Sequence, residues 1–363
     1  MRLLICAGGT GGGVYPALAV LEQLKAAASN LEVRWVGGEG GMEADLVTRA
    51  GIPFGAIPAA GLHGVGLRAL PRNLGLLARG VLASIRILRA FRPDVLFFTG
   101  GFVAAPMALA GWRIPSLLYV PDIEPGLALK SLARFADRIT VTAPDSQAYF
   151  EKKVIVTGYP LRPELAAWSR SKARAALGLS SHKPVLLIFG GSKGARSINQ
   201  ATLARLPGLL EMAEVVHISG QLDWEEVEKT EAGLSSKLRK RYHTFPYLHE
   251  MGKAFAAADL VVSRAGASTL GELPFFGLPA VLVPYPYAWR YQKVNAESLA
   301  RHGAAVILDD SRLQEDLLDT VKVLLENPGK RESMRAAMRS LAHPHAAQAI
   351  ASQLVELAGV KSL

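Results

Sequence analysis

Short apolar runs alternate with stretches of helical spacing along the whole chain. The runs are hydrophobic on both faces, which is typical of strands buried in a parallel sheet covered by helices. They are RLLIC, EVRWVGG, VLFFTGG, SLLYV, RITVTAP and KVIVTG, followed by PVLLIFGG, EVVHISG, HTFPYL, DLVVSRAG, AVLVPYP and AAVILDD. This alternation predicts an α/β fold with doubly wound parallel sheets.

The series of strands occurs twice. Each copy opens with a strand, a glycine-rich loop and a helix: LLICAGGTGGGVYPALAVLEQL from Leu3 and LLIFGGSKGARSINQATLARL from Leu186. A polar, helix-prone segment at 160–184 separates them. We predict two Rossmann-like domains, 1–161 and 162–344, whose sheets face a central cleft where ligands collect. A C-terminal helix at about 345–363 is a candidate to pack back on the first domain.

Glycine pairs follow the predicted strands at four places, Gly8 to Gly13, Gly37–Gly38, Gly100–Gly101 and Gly190–Gly191. Such a loop offers backbone N–H groups and the positive end of a helix, with no side chain to keep an anion away. A single pair is explained by a tight turn between strand and helix. Four pairs predict a diphosphate ligand.

Two common phosphate motifs are absent from these loops. GGSKGARS lacks the GK[ST] order of the ATPase loop, and GGTGGGVYP does not satisfy G-x-G-x-x-G. Glu39, at the end of the second strand, could still bind the ribose of a dinucleotide. A nicotinamide dehydrogenase therefore remains an alternative.

Metal and disulfide chemistry is not predicted. The 363 residues include one cysteine, Cys6, so an intramolecular disulfide or a cysteine-based metal site is excluded and a reducing cytosol fits. No D-x-D pair occurs, and the eight histidines do not form a closely spaced set of metal ligands. Backbone N–H groups, arginine and hydroxyls must then neutralise a leaving phosphate, and no cofactor is expected.

Candidates for this neutralisation are Ser192, Arg162 and the turn SRAGASTLGE. Ser268 and Thr269 lie where the next helix begins, and Glu272 follows in its first turns. The Glu272 carboxylate either caps the helix or accepts hydrogen bonds from two ribose hydroxyls.

The formal net charge of +10 is uneven locally, since 47–93 contains seven arginines and no acidic residue. Few aromatics and no nucleic-acid reader motif accompany them, so an anionic membrane or a phosphorylated ligand is favoured over nucleic acid. The uncharged stretch Val95 to Trp112 contains Gly100–Gly101 and Pro106, and is predicted to be a strand, a turn and a helix rather than a membrane span.

A helix is predicted from Leu70 to Leu88. Its apolar face comprises Leu74, Leu77, Val81, Ile85 and Leu88, and its basic face Arg72, Arg79 and Arg86. The helix either packs on the sheet with its arginines in water or approaches anionic lipid headgroups.

Eight ordered segments, which together span nearly the whole chain, resemble the MurG family, the bacterial transferases that add N-acetylglucosamine to lipid I in peptidoglycan synthesis. They are GGTGG at 8–12, GGFVAAP at 100–106, EPGLALKSLA at 124–133, VTGYPLR at 156–162, GGSKGARSIN at 190–199, YLHEM at 247–251, SRAGASTLGE at 263–272 and RYQKVNA at 290–296.

The resemblance implies a GT-B fold with the donor sugar nucleotide on the C-terminal domain and the lipid acceptor on the N-terminal one. It implies UDP-N-acetylglucosamine as donor, a polyprenyl-diphosphate-linked sugar as acceptor, and a peripheral location on the cytoplasmic face of the membrane. The implied donor contacts are uracil at the Leu248 backbone, diphosphate at Ser268 and Thr269, ribose at Glu272 and sugar at Gln292. Ser192 and Arg162 would lie at the donor phosphates and the cleft. The loop Thr10, Gly11 and Gly12 would meet the reacting groups, with Gly100 and Gly101 as a further acceptor-side loop.

Departures from the family pattern fall mainly on the acceptor side and the cleft. The family usually has GGTGGH where this chain has Gly13, and H-E-Q-N where it has Tyr119 to Asp122. G-N-P-V-R is replaced by Gly158 to Arg162, and the glutamine of GGSQGA by Lys193. Asp122 is the candidate base for the acceptor hydroxyl; otherwise it is a solvated turn residue.

Together these features predict an inverting, metal-independent glycosyltransferase of cell-wall synthesis that converts lipid I to lipid II. Four alternatives stay open: a transferase with another lipid acceptor, an enzyme like UDP-N-acetylglucosamine 2-epimerase, a catalytically weakened binding protein and the dehydrogenase.

Overall fold

The computed structural model describes residues 1–8, 11–27, 30–41, 43–59, 70–180, 182–287 and 290–359. The chain forms two compact units. Unit 1 comprises Met1–Arg162 and Pro344–Leu363, and unit 2 comprises Pro163–His343.

Unit 1 is built on a parallel sheet that, in the described residues, has seven strands in the order β3-β2-β1-β4-β5-β6-β7. Its strands are β1 (Arg2–Ala7), β2 (Glu32–Gly38), β3 (Phe54–Ile57), β4 (Val95–Gly100), β5 (Ser116–Val120), β6 (Arg138–Val141) and β7 (Ile155–Val156). Its helices are α1 (Gly11–Ala27), α2 (Glu43–Arg49), α3 (Leu70–Phe91), α4 (Ala104–Ala110), α5 (Leu127–Ala133) and, from the end of the chain, α15 (Ala346–Leu357).

Unit 2 repeats this topology, with six described strands in the order β10-β9-β8-β11-β12-β13. Its strands are β8 (Val185–Phe189), β9 (Glu214–Ile218), β10 (Tyr242–Phe245), β11 (Leu260–Ser263), β12 (Ala280–Leu282) and β13 (Ala305–Ile307). Its helices are α6 (Arg170–Ala176), α7 (Arg196–Met212), α8 (Trp224–Ala232), α9 (Ser236–Arg239), α10 (Met251–Ala257), α11 (Thr269–Phe276), α12 (Tyr291–Arg301), α13 (Leu313–Glu326) and α14 (Pro328–Ser340).

Strand order reverses direction beside the first strand of each sheet. In unit 1 the reversal lies between β1 and β4, and in unit 2 between β8 and β11. Ligands of open α/β sheets bind outside the carboxyl ends of the strands at such a point. Each glycine-rich loop lies there, because each follows the first strand of its own sheet.

All the strands predicted from the apolar runs are present, and the predicted α/β class is confirmed. The strand β3 was not predicted. Its sequence, FGAI, has little apolar bulk, and the strand lies at the edge of the sheet beside β2. An edge strand with one buried position leaves no apolar run to recognise.

The predicted helix at Leu70 is α3, but its buried face differs from the predicted one. Leu74 is 50% exposed, whereas Gly80 and Ser84 are buried. A Cβ on Gly80 would lie 2.3 Å from the carbonyl oxygen of Pro58 and 3.1 Å from Pro106 of α4. The helix therefore approaches its neighbours along its smallest residues, which leaves part of its apolar face uncovered.

Val95 to Trp112 folds as predicted into β4, a glycine turn and α4. Among the described residues, no helix combines the length and apolarity needed to cross a bilayer.

Helix α15 packs against α1, β4 and β5 of unit 1. Arg138 of β6 holds it through a two-pronged ion pair, with both guanidinium nitrogens 2.7 Å from the Glu356 carboxylate oxygens. Arg138 also donates to Gln353 Oε1 at 2.8 Å. The chain thus returns to its first unit after completing the second.

Candidate functional site

The loop after β8 in unit 2 is shaped by backbone contacts that only glycine permits. A Cβ on Gly190 would lie 2.2 Å from the nitrogen of Ala195, and one on Gly194 would lie 2.0 Å from the carbonyl oxygen of Ser219. Gly191 and Gly194 have φ of 99° and 80°, in the region that favours glycine. The side chain of Ser192 is exposed at the tip of this loop, immediately before α7 begins.

The turn after β11 lies next to that loop, because β11 pairs directly with β8. Thr269 is buried and donates its hydroxyl to the carbonyl oxygen of Gly266 at 2.6 Å, so it closes the turn. Ser268 is half-buried at the start of α11 and makes no side-chain cap there. Glu272 is half-buried one turn later. The Ser268 hydroxyl and the Glu272 carboxylate are the groups of this turn suited to a ligand.

Leu248 and Gln292 lie at the carboxyl ends of two other strands of unit 2. Leu248 follows β10, between Tyr247 and His249, whose rings meet edge to face at 4.8 Å. Gln292 is in the first turn of α12, after β12, and its Oε1 accepts the backbone N–H of Tyr285 at 2.9 Å. Unit 2 therefore presents its predicted donor residues at one edge of its sheet.

Arg162 is the one predicted donor residue that belongs to unit 1. Its guanidinium lies over the ring of Tyr15 in α1, 4.8 Å from the ring centre.

The acceptor-side loops of unit 1 meet at the point where its strand order reverses. Gly100 ends β4, and a Cβ on Gly101 would lie 2.6 Å from the carbonyl oxygen of Gly8. Gly11 and Gly12 form the first turn of α1, while Thr10 lies outside the described residues.

Glu43, which the sequence analysis missed, occupies the space beside these loops. Its carboxylate is fully buried, and its Oε1 accepts the Gly38 N–H at 2.8 Å. A Cβ on Gly8 or Gly37 would lie 2.2 or 2.8 Å from that oxygen. The prediction of a bound diphosphate was therefore wrong for Gly37–Gly38, which surround the protein's own carboxylate.

The loop after β1 is where a dehydrogenase would bind the diphosphate of its dinucleotide, and the Glu43 carboxylate already fills the space beside Gly8 there. Glu39, the proposed ribose ligand, is exposed. Burial and the nearby Glu43 carboxylate also raise the pKa of the Cys6 thiol, so this cysteine stays protonated.

Among the described residues, no cluster of three or more His, Cys, Asp or Glu side chains is arranged to hold a metal ion.

Comparison with known proteins covers both units. The glycosyltransferase family 28 N-terminal domain matches residues 3–141, and the family 28 C-terminal domain matches 185–351. A UDP-N-acetylglucosamine–N-acetylmuramyl-(pentapeptide) pyrophosphoryl-undecaprenol N-acetylglucosamine transferase from Desulforamulus reducens is 40% identical, over 95% of this chain and 96% of that protein. The protein of the same name from Roseiflexus is 41% identical, over 98% and 95%.

The chain belongs to the MurG family. The crystal structure of Acinetobacter baumannii MurG superposes with a TM-score of 0.80 at 29% identity, covering 98% of this chain and 99% of that one. The GT-B fold is therefore confirmed. A UDP-GlcNAc 2-epimerase from Neisseria meningitidis has a TM-score of 0.68 at 13% identity, over 98% and 100% of the two chains, which shows a shared fold alone.

Position 13, where the MurG family usually has histidine, is tightly enclosed. A Cβ on Gly13 would lie 3.2 Å from the carbonyl oxygen of Thr99, whose hydroxyl donates to the Gly13 carbonyl at 2.6 Å. A larger side chain would displace β4 by a few tenths of an ångström. Glycine here is thus matched to the close approach of Thr99.

Tyr119, at another departed MurG position, is a core residue. It is fully buried, and its hydroxyl and that of Thr142 share a hydrogen bond of 2.8 Å. Burial, and after it the neighbouring Tyr159, raise the pKa of Tyr119, so its phenol stays neutral. Asp122 follows β5 and is half-buried, and its charge also contributes to the raised pKa of Tyr119.

Glu124 is a second buried carboxylate that the sequence analysis missed. It lies in the same segment after β5 and is 3.6 Å from the Lys130 ammonium. Spacing alone could not show this pair, because Glu124 precedes α5 and lies six positions from Lys130, outside the i,i+3 and i,i+4 spacing of helical pairs.

A buried polar network fixes the first turns of α7, which follow the unit 2 glycine loop. His217 of β9 contacts the Tyr242 hydroxyl through Nδ1 at 2.7 Å and Asn199 Oδ1 through Nε2 at 3.0 Å. Asn199 donates in turn to the Ser219 carbonyl at 2.8 Å and to Asp223 at 2.7 Å. Since the Asn199 oxygen can only accept, Nε2 carries the proton and Nδ1 accepts from the tyrosine.

This network predicts a pH dependence of stability. Burial lowers the pKa of His217 to about 4, whereas an unfolded histidine titrates near about 6.5. The unfolded state therefore binds the extra proton first as pH falls, and the stabilisation present above pH 6.5 is lost towards pH 4, by up to about 3 kcal/mol. We expect urea unfolding of His217→Gln to show a shallower loss of stability between pH 7 and 4 than the wild type.

The exposed His182 supplies the control, because His182→Gln changes the same residue type without touching the network. Equal pH slopes for wild type, His217→Gln and His182→Gln would contradict a neutral, buried His217.

Proposed function

We propose that this chain transfers N-acetylglucosamine from UDP-N-acetylglucosamine to the undecaprenyl-diphosphate-linked N-acetylmuramyl-pentapeptide, converting lipid I to lipid II. The observation that carries the proposal is the 40% identity, over nearly the full length of both chains, to proteins named for that transfer. The glycine loop and Ser268 turn at the strand-order reversal of unit 2 support a sugar-nucleotide donor there.

The donor would be held by unit 2. The diphosphate would lie at the loop Gly190 to Gly194 and at the start of α11, where the Ser192 and Ser268 hydroxyls would donate to it. Glu272 would accept the two ribose hydroxyls, Leu248 would meet uracil through its backbone, and Gln292 would meet the sugar. Arg162 would approach the donor phosphates from unit 1, and the loop of Thr10 to Gly12 together with Gly100–Gly101 would face the acceptor.

The reaction would be a single displacement with inversion. The acceptor hydroxyl oxygen bonds to the anomeric carbon while the bond from that carbon to the UDP oxygen breaks, and UDP leaves with the electron pair. The new negative charge is received by the N–H groups and hydroxyls of unit 2. The hydroxyl proton passes to a base, for which Asp122 is our candidate because it follows β5 close to the reversal point of unit 1.

Transfer is tested by incubating the protein with UDP-N-acetylglucosamine and a lipid I analogue in EDTA and looking for the disaccharide by mass spectrometry. We expect a product that needs both substrates, and its loss in Asp122→Asn with UDP affinity unchanged. Formation of UDP-N-acetylmannosamine without acceptor would favour an epimerase. A disaccharide formed only when divalent ions are supplied would overturn the metal-independent mechanism.

The ribose contact predicts that Glu272→Ala weakens UDP binding by about 1 to 3 kcal/mol, the range for hydrogen bonds to a charged group. Calorimetry measures the affinity. Glu297→Ala is the matched control, because Glu297 lies on α12 of the same unit in an exposed pair with Lys293. Equal UDP affinity in folded Glu272→Ala and the control would remove Glu272 from the donor site.

We further propose that unit 1 docks on the cytoplasmic face of the membrane through α3 and the surface next to it. Arg72, Arg79 and Arg86 are all exposed, as predicted. The apolar residues Leu74 and Leu82 of the same helix are 50% and 59% exposed. Basic charge beside exposed apolar surface favours an anionic bilayer over water.

Aromatic residues extend this surface beyond α4, the helix on which α3 packs. Trp112 is 63% exposed and carries the Arg113 guanidinium 4.6 Å from the centre of its ring system. Phe135, 50% exposed, lines the same small cavity as Trp112. Such rings, with an arginine beside them, favour the level of the lipid headgroups.

Replacing Arg72, Arg79 and Arg86 by glutamine should therefore release the protein from phosphatidylglycerol-containing vesicles while UDP affinity is retained. Each arginine near the surface contributes about 1 kcal/mol, and the attraction weakens as salt rises. Vesicle flotation at low and high salt measures the effect.

The matched control removes three exposed charges from unit 2, with Lys229, Lys237 and Lys240 changed to glutamine. If both triple variants float as the wild type does at low salt, α3 is not the docking surface.

A further inference from the structure

Arg264 joins two separate segments of unit 2 through its charge. It follows β11 directly, and its side chain is only 10% exposed. One guanidinium nitrogen lies 2.5 Å from Asp310 Oδ1, and the other donates to the Ser197 hydroxyl at 2.7 Å. Ser197 donates in turn to the same Asp310 oxygen at 2.6 Å, closing a triangle.

The same guanidinium also holds the loop between β12 and α12. It donates to the carbonyl oxygens of Val283 at 3.1 Å and Pro284 at 3.4 Å, and it lies 5.2 Å from the ring centre of Tyr285. Arg264 therefore ties this loop to the first turn of α7 and to the turn at Asp310. The first turn of α7 follows the glycine loop that carries Ser192.

The charge of Arg264 is balanced internally. Asp310 neutralises the guanidinium in a largely buried setting, and the guanidinium donates to oxygens of Asp310, Ser197, Val283 and Pro284. Because its guanidinium already binds groups of the protein, Arg264 orders the chain around it instead of neutralising a ligand phosphate.

The segment 283–287 also contacts Gln292 of α12. The Tyr285 N–H donates to Gln292 Oε1 at 2.9 Å, which orients the amide so that its nitrogen points away from the loop. Asn295, one turn later in α12, donates to the Ala265 carbonyl at 3.1 Å, next to Arg264 in the chain. The position of the Gln292 amide thus depends on the segment that Arg264 holds.

We propose that Arg264, Asp310 and Ser197 are positioning residues that set selectivity for the donor sugar through the Gln292 loop. The inference rests on the proposed function, in which Gln292 meets the sugar. UDP would contact Leu248, Ser268 and Glu272, none of which belongs to the triangle, so we expect its loss to reduce discrimination among UDP-sugars and to leave UDP affinity intact. If the triangle acted on stability alone, its loss would lower the unfolding temperature. The ratio of the kcat/KM values for different UDP-sugars would then stay unchanged.

Two variants test the proposal by different routes. Asp310→Asn removes the charge partner, and Arg264→Lys keeps the charge but loses the planar fork whose two nitrogens reach Asp310 and Ser197. We expect each variant to lower kcat/KM for UDP-N-acetylglucosamine about tenfold. The ratio of kcat/KM for UDP-N-acetylglucosamine to that for UDP-glucose should fall, and the UDP affinity measured by calorimetry should stay unchanged. Asp316→Asn is the control, because it removes an exposed pair with Arg312 in the same unit.

Hydrogen exchange of the peptide 283–287 in the ligand-free protein gives a readout that needs no turnover. Both variants should speed exchange in that peptide about tenfold over the wild type, and the control should not. Unchanged exchange, or a UDP affinity that falls by the same factor as kcat/KM, would overturn the proposal. The proposed function would instead be contradicted if the wild-type protein showed slow exchange in this peptide and bound UDP but transferred no sugar.

Discussion

Both candidate loops depend on backbone segments approaching more closely than a Cβ allows. In unit 1 a Cβ added to Gly101 would lie 2.6 Å from the Gly8 carbonyl oxygen. In unit 2 a Cβ added to Gly194 would lie 2.0 Å from the Ser219 carbonyl oxygen. In unit 1 the contact joins the two loops at the strand-order reversal, and in unit 2 it joins the loop after β8 to the loop after β9. Any other residue would separate the segments and move the groups they present.

The two units use this shared geometry for different purposes. In unit 1 the buried Glu43 carboxylate fills the space beside Gly8 and accepts the Gly38 N–H, so a side chain of the protein already occupies the space next to the loop. In unit 2 the tip of the glycine loop is exposed at Ser192, and charge in the neighbouring turn is balanced between Arg264 and Asp310. The unit 2 loop, whose Ser192 side chain is exposed to solvent, is therefore the one to which we assign the donor diphosphate.

The sequence predicted the strands because strands buried on both faces leave continuous apolar runs. It did not predict β3, an edge strand of four residues, or the buried face of α3, which is determined by Gly80 against Pro58 and Pro106. Glu43 was missed for a similar reason. A carboxylate and the glycines that enclose it are recognisable as one feature only after folding brings Gly8 and Gly37 together. The placement of Ser192, Ser268 and Gln292 at strand ends could be predicted, whereas the Arg264 triangle joins residues 67 and 46 positions apart.

The central claim is that the nucleotide binds the carboxyl edge of the unit 2 sheet, and hydrogen–deuterium exchange with and without saturating UDP tests it most directly. We predict slower exchange in 190–199, 247–251 and 264–272, and no change in 2–8 or 95–101 of unit 1. Protection confined to the unit 1 segments would contradict the assignment, because the nucleotide would then lie beside Glu43 and away from the glycine loop of unit 2.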